Sequence, residues 1–463
     1  MNMKRISALL LALALTLSLT LLAGCKKDSN SGDKDQDDGP VNVEDVYGTS
    51  ELSADVIEAL QNSGEITLYT TEASVAQGKL DEEWQAGMDW YKKYYGLTIN
   101  WKYQAYGDDL KKFLVDFAAN DAPDLIYLDY RRWPKAGLRQ VIYNLDELKE
   151  MEVLGLDHPA ITTYEDLSSR FEINGKKYAV SVAYASPTLC CVNLDLYDQY
   201  SVKSPMAYYQ EGDWTMDTYI KCAKDITRTL SDGTKIWGTF GWNYSWYLVA
   251  NDCRLVQWDD KYNLKLTMTS DPKTVETLTT FQDIYEKGYC PSSEEYSEKK
   301  LFTSGKEGMV LMTADNMAKM VKDVTFKWDI LPMPLGANNS SGETAGEVSG
   351  WGLVSSSKNP QGAINYIIAK DLYNKQLYKQ DWGVYFCPSY DGIYSEEQID
   401  TIANYADHIG LDLYMGVGDL NTKQWNFWND LKRGTMTVKE VFDTHEGVFQ
   451  EQIDAENAMA KKD

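Results

Sequence analysis

Between residues 66 and 128 the hydrophobic period switches four times, and this alternation constrains the fold more than any other feature of the chain. Residues 66–69 form a short β-type run. Leu80, Trp84, Met88, Tyr91 and Tyr95 then recur at helical spacing and stop at Gly96, a residue that caps helices easily. Leu97, Ile99, Trp101 and Tyr103 alternate as in a strand. Leu110, Phe113, Leu114 and Phe117 make a second helical stripe behind Asp108, and residues 125–128 read as a third strand. A β-α-β-α-β unit builds a parallel sheet with right-handed crossovers, and ligands of such sheets lie beyond the carboxyl ends of the strands. The loops 70–74, 104–108 and 129–133 are therefore the first places to look for a site. The last is the richest, with Asp129, Tyr130, Arg131, Arg132 and Trp133 directly behind a buried strand; a solvated turn is the competing reading.

A second set of elements follows Tyr178. Thr215 can cap a helix carrying Tyr219, Ile220, Ala223, Ile226 and Leu230 on one face. Asp271-Pro272 opens another, whose stripe of Val275, Leu278, Phe281, Ile284 and Tyr285 runs to Gly288. Residues 309–312 and 328–331 look like strands, 336–346 like a polar loop, and Asn359-Pro360 starts a helix through Lys370. No internal repeat is visible. After the amino-terminal segments, roughly 415 residues remain, too many for one core, which points to two domains or lobes.

The amino terminus carries Lys4-Arg5, an apolar run over residues 6–23, and then Gly24-Cys25, the order of an export signal. A membrane-spanning helix would continue past Gly24, whereas Lys26-Lys27 and an Asp-rich stretch begin at once. Leu22-Ala23-Gly24-Cys25 matches the lipobox of bacterial lipoproteins, which makes Cys25 the expected first mature residue and site of diacylglyceryl attachment. An apolar cysteine within an ordinary signal is the alternative. Residues 26–47 are polar and acidic, unable to bury enough surface to order themselves, and read as a tether. They lack the glycine and closing glutamate of a calcium loop. The net charge of −25 makes nucleic acid an improbable partner. The other cysteines, Cys190, Cys191, Cys222, Cys253, Cys290 and Cys387, form no C-x-x-C pair, so buried thiols and disulfides both stay open.

With 32 Tyr and 14 Trp against 11 Phe, the aromatic surplus consists of rings with a polar edge, which suits a wet binding site; large rings also dominate cores. They cluster at Trp237 with Trp242, Asn243, Tyr244 and Trp246, at Trp351, at Trp382 with Tyr385, and at Trp425 with Trp428. Enzyme signatures fail. His158, His408 and His445 include no H-E-x-x-H, Ser304-Gly305-Lys306 lacks the first glycine and the hydroxyl residue of a phosphate loop, and Glu347 stands where a nucleophile elbow before Ser349 needs glycine. No metal or cofactor site is expected. A pair of carboxylates acting as in a glycosidase stays possible among 70 acidic residues.

Taken together, the lipobox, the acidic tether, Tyr94-Tyr95-Gly96, Ala122-Pro123-Asp124-Leu125-Ile126, Asp213-Trp214-Thr215, Gly305-Lys306-Glu307-Gly308-Met309 and Gly350-Trp351-Gly352-Leu353 resemble the family 1 extracellular solute-binding proteins, the sugar-binding lipoproteins of bacterial ABC importers. The resemblance implies an α/β, two-lobed, type II periplasmic-binding-protein-like fold with ligand in the interlobe cleft. It implies a signal peptide over 1–24, the lipidated Cys25 and tether over 25–47, lobe 1 over 48–182 plus 352–388, and lobe 2 over 183–351 plus 389–463. Crossings between lobes are expected near 180–187, 349–354 and 387–391. The lining carried over is Thr71, Glu72, Asp129, Tyr130, Tyr184, Trp242, Trp246, Asp315, Trp351, Trp382 and Tyr385, with acidic groups accepting from sugar hydroxyls and rings packing on pyranose faces. Residues 237–254 depart from the family in being unusually aromatic. The implied partners are a sugar or oligosaccharide, the permease subunits and the membrane through the lipid, with the chain a monomer on the extracytoplasmic face and not an enzyme. Arg131, Arg132 and Arg254 keep an amino acid, peptide or polyamine ligand in view.

Overall fold

The alternation at residues 64–128 builds the sheet it predicts. In the computed structural model, β1 (Gly64–Thr70), β2 (Leu97–Tyr103) and β3 (Leu125–Leu128) are parallel in the order β2-β1-β3, with α1 (Glu82–Tyr95) and α2 (Lys111–Ala118) as crossovers. Asp81 accepts a hydrogen bond from the Trp84 N–H to start α1, and Gly96 ends it in the left-handed region at φ 59°. The structure describes residues 54–460 apart from 106, 108–109, 242–243, 292–297, 379–389 and 391. Cys25, the tether, Asp108, Trp242, Trp382, Tyr385, Cys387 and all of the expected crossing at 387–391 except Tyr390 lie outside the described residues.

The remaining strands of the main sheet are β4 (Ser181–Asn193), β5 (Arg228–Thr229), β6 (Lys235–Phe240), β7 (Glu307–Thr313), β8 (Trp328–Pro332) and β9 (Gly346–Leu353). Its order is β2-β1-β3-β9-β4-β7-β6-β5, with β8 also against β4. The long strand β4 is shared. Its residues 181–187 pair antiparallel with β9, and its residues 188–193 pair with β7 and β8. β9 is shared in turn, since Gly350–Leu353 pairs with β3 while Gly346–Trp351 pairs with β4. The molecule is a two-lobed α/β protein, and these two strands run through both halves of its sheet.

Local chemistry accounts for the flanking helices. Thr215 and Thr218 form a capping box at the start of α3 (Met216–Ile226), which stops short of Leu230 because Arg228 and Thr229 pair with β6. Next come α4 (Tyr244–Val249) and α5 (Pro272–Glu286), the latter capped by Asp271, which accepts from the Lys273 N–H. α6 (Ala314–Val321) follows β7, and α7 (Pro360–Tyr378) runs two turns beyond the predicted end at Lys370. One core joins Ile66, Leu68, Leu97, Leu125 and Leu353 with Ile364, Ile368 and Leu372 of α7. A second runs from Phe113, Leu128 and Trp133 through Leu189 and Leu311 to α8 (Leu420–Arg433) and α9 (Val438–Ala460). α9 is tied to residues before β4: Arg139 Nε and Nη2 donate to Glu456 at 2.8 and 3.0 Å, with the Glu456 side chain only 1% exposed.

Among the described residues, Cys190, Cys191, Cys222, Cys253 and Cys290 are buried and unpaired. Burial pushes the thiols of Cys190 and Cys191 well above their ordinary range. No described helix is long and apolar enough to cross a membrane.

A Cβ on Gly96 would stand 2.8 Å from the Gln61 carbonyl oxygen, in a backbone conformation that side chains rarely adopt. Gly96→Ala should therefore cost roughly 1–3 kcal/mol of stability, read from the midpoint of urea unfolding.

Candidate functional site

The carboxyl ends of β1, β2 and β3 open onto a cavity of about 790 Å³, a size suited to a small organic solute. Thr71 and Glu72 follow β1, Gln104 follows β2, and Asp129 and Tyr130 follow β3. The shared strands contribute Tyr184, Glu347, Ser349 and Trp351, and the first turn of α6 contributes Asp315. From α7 come Tyr366, Lys370, Tyr373 and Asn374, which share one helical face. Seven residues singled out in the sequence thus meet around one space: Thr71, Glu72, Asp129, Tyr130, Tyr184, Asp315 and Trp351.

Trp246 goes elsewhere. Residues 244–249 form α4 instead of a loop, and this places Trp246 in the core at 4% exposure. Arg254 also lies off the cavity, donating to Glu343 and to the carbonyls of Cys253 and Leu411.

Asp129 is bound from within. Its Oδ2 accepts from Arg131 Nε and Nη2 at 3.2 and 2.9 Å and from Arg132 Nη1 at 2.9 Å; its Oδ1 accepts the backbone N–H groups of both arginines. These five bonds fill the acceptor sites of a carboxylate, so Asp129 acts as the anchor of two arginines at the cavity. Asp315 is similarly occupied. Its Oδ1 accepts from Thr313 Oγ1 at 2.8 Å and Ser186 Oγ at 3.2 Å, and its Oδ2 faces Lys319 Nζ at 3.2 Å. Burial pushes the Asp315 carboxyl up, but hydrogen bonds from Tyr184 and Thr313 and the Lys319 charge outweigh it, leaving the pKa below the usual carboxylate value.

The aromatic lining is continuous. Tyr127 lies 4.1 Å from Trp351 between centroids at 32°, Trp351 meets Tyr366 edge-on, and Tyr91 bridges Tyr366 and Tyr373. Trp351 is 6% exposed and Tyr127 39%, so Tyr127 is the ring of that pair that offers surface to the cavity. Two buried donors on the lining, Gln104 Nε2 and Trp101 Nε1, have no partner among the described residues.

Residues 86–400 match the bacterial extracellular solute-binding protein family, more than half of the chain. The chain belongs to that family. No curated protein sequence matches this solute-binding protein. Its fold is similar to that of an ABC substrate-binding protein from Listeria monocytogenes in complex with cycloalternan (TM-score 0.60, 18% identity, covering 84% of this chain and 99% of that one). It is also similar to a Staphylococcus aureus extracellular solute-binding protein in complex with maltose (0.58, 16%, 85% and 98%) and to UgpB from Mycobacterium tuberculosis in complex with glycerophosphocholine (0.60, 18%, 85% and 99%).

Gln104 lies in one of the three loops that the topology marks, whereas Tyr127, Glu347 and Lys370 are among the lining residues that the sequence reading misses. The period-two spacing of Glu347, Ser349 and Trp351 along β9 was the signal for Glu347. The sequence pattern carries the helix only to Lys370, which conceals the face that Lys370 shares with Tyr366, Tyr373 and Asn374.

Burial and the nearby Asp315 charge raise the Glu347 carboxyl to about 7, with Asp129 adding to the rise and Arg131 and Lys319 opposing it. The unfolded chain therefore releases this proton before the folded one as pH rises from the ordinary carboxylate range. Stability falls across that window and levels off above pH 7 or so. Glu347→Gln should be more stable than the parent by up to about 3 kcal/mol at roughly pH 8, and no different near pH 4, in urea unfolding.

Proposed function

We propose that the chain captures a carbohydrate outside the cell and delivers it to the permease of an ABC importer, held at the membrane by lipid on Cys25. The observation that carries the carbohydrate reading is the make-up of the cavity, where rings with polar edges stand beside polar groups that lack a partner among the described residues. Tyr127 offers a ring face, Gln104 Nε2 and Trp101 Nε1 are buried donors on lining residues with no partner among the described residues, and Glu347 has no hydrogen-bond partner among them either. A sugar has C–H faces for the ring and hydroxyls that both donate and accept, so one ligand class meets every requirement. The neighbours bound to cycloalternan and maltose support the same class. The lipobox at residues 22–25 and the Lys-Lys start of the tether support the anchor.

One observation favours hydrolysis as a second reading. Glu347 holds its proton to about 7 while Asp315 is held ionised, the split that glycosidases use for acid and nucleophile. The placement weighs against it. Ser186 is the strand partner of Glu347 and its hydroxyl bonds Asp315, so both acids gather on one side of the cavity instead of flanking a bond. The oxygens of Asp315 are also committed to Thr313, Ser186 and Lys319.

A thermal-shift panel on the full chain in detergent tests the proposal, with neutral and acidic saccharides, amino acids, polyamines and glycerophosphocholine. A ligand at about a hundred times its dissociation constant stabilises by about 2.7 kcal/mol. Shifts confined to ionic non-sugar solutes would sink the carbohydrate reading, and release of reducing sugar that Glu347→Gln abolishes would replace it with the hydrolytic one. Tyr127→Ala should weaken saccharide binding roughly tenfold by calorimetry. Cys25→Ala should move the protein from the membrane fraction to the medium.

A further inference from the structure

Among the described residues that line the cavity, Lys370 is the cationic side chain with no ion-pair partner. Arg131 and Arg132 share Asp129. Lys370, half-buried on α7, has no carboxylate within ion-pair distance among the described residues. Its ammonium lies 5.2 Å from the centroid of the Trp351 ring, beside the Tyr127 hydroxyl. A ring face and a phenol stabilise a cation by a fraction of what an anion supplies, so a half-buried ammonium in this place gains most from an anionic partner.

The acidic side of the cavity does not serve as that partner. Glu347 pairs across the strands with Ser186, whose hydroxyl bonds Asp315, whereas the Trp351 ring under Lys370 stands farther along β9, where that strand pairs with β3. The cavity is therefore electrically polar. Asp315 and Glu347 occupy one region, on the first turn of α6 and on β9, and Lys370 occupies another, on α7 against β3 and β9.

From this separation we propose that the ligand is a saccharide carrying one anionic group, a carboxylate or a phosphate, which pairs with Lys370 and the Tyr127 hydroxyl. The neutral part of the ligand extends toward Asp315 and Glu347, which repel the anion and fix the direction in which the ligand enters. The proposal rests on the carbohydrate reading and narrows it. Asp129 offsets one of the two charges of Arg131 and Arg132 and takes donors from both, so their guanidinium groups are turned toward Asp129, whereas the Lys370 ammonium has no such partner among the described residues.

The test is calorimetry on the full chain in detergent with matched pairs. These are digalacturonate against its neutral digalactose counterpart and glucose 6-phosphate against glucose, with inorganic phosphate alone as a further arm. The charged member of at least one pair should bind about tenfold tighter or better, and which pair shows it separates a uronic acid from a sugar phosphate. Lys370→Met should bring the pair to within about twofold while neutral binding persists, and Lys370→Arg should keep the preference. A melting curve for Lys370→Met no lower than the parent's shows the loss is not unfolding, since replacing an unpaired buried charge with an apolar chain is tolerated. Equal affinity within every pair, tighter binding of inorganic phosphate than of the sugars, or a preference that survives Lys370→Met overturns the proposal while leaving the carbohydrate reading standing. Binding of no saccharide at all overturns both.

Discussion

The antiparallel pairing of β4 with β9 is the constraint on which both lobes depend. A strand that belongs to two sheet halves must satisfy its backbone on either side along its whole length, and buried N–H and C=O groups leave little tolerance for error. The register shifts between Ser349 and Gly350, so that Ser349 faces Tyr184 and Gly350 faces Val182, with Ala183 left over. Such a bulge bends and twists the strand that carries it. Here it falls beside Tyr184 and Ser349, two residues of the cavity. The cavity residues Tyr184 and Ser349 and the strands shared by both halves of the sheet are the same stretch of chain. A ligand touching both sides would then act directly on the geometry of those strands.

Inside the cavity the protein spends much of its polar capacity on itself. Asp129 orders two arginines, and Asp315 is held by Ser186, Thr313 and Lys319. Groups fixed in this way need no reorganisation when a ligand arrives, which is how a modest set of contacts yields useful affinity. The polar groups left without partners among the described residues are few, and they define the chemistry of what must fill the space.

Much of the scaffold was legible because it is written in period. The switch from strand to helix spacing between residues 64 and 128, Gly96 at the left-handed cap, Thr215 and Asp271 at helix starts: each is a local rule that tertiary structure had no reason to override. The three loops beyond the parallel strands followed from topology. What the sequence concealed depends on faces. Trp246 resembles a loop ring until α4 turns it inward, and Lys370 resembles a helix end until α7 continues past it. Glu347 was seen only as a residue that is not glycine, since its environment comes from β4 and α6, well separated in the chain. Likewise, an aspartate next to two arginines reads as a ligand acceptor until the geometry shows it accepting from its own neighbours.

The five buried thiols bear on how such a protein lives outside the cell. Cys190 and Cys191 are adjacent on β4, so their side chains leave opposite faces of the sheet, and both are fully enclosed. Burial holds them in the protonated form, and the thiolate is the species that oxidants and disulfides attack. Packing and the strand hydrogen bonds hold this part of the molecule, with no disulfide among the described residues. Its maturation asks nothing of a disulfide-forming catalyst, and neither an oxidising nor a reducing medium finds a cross-link here to make or break.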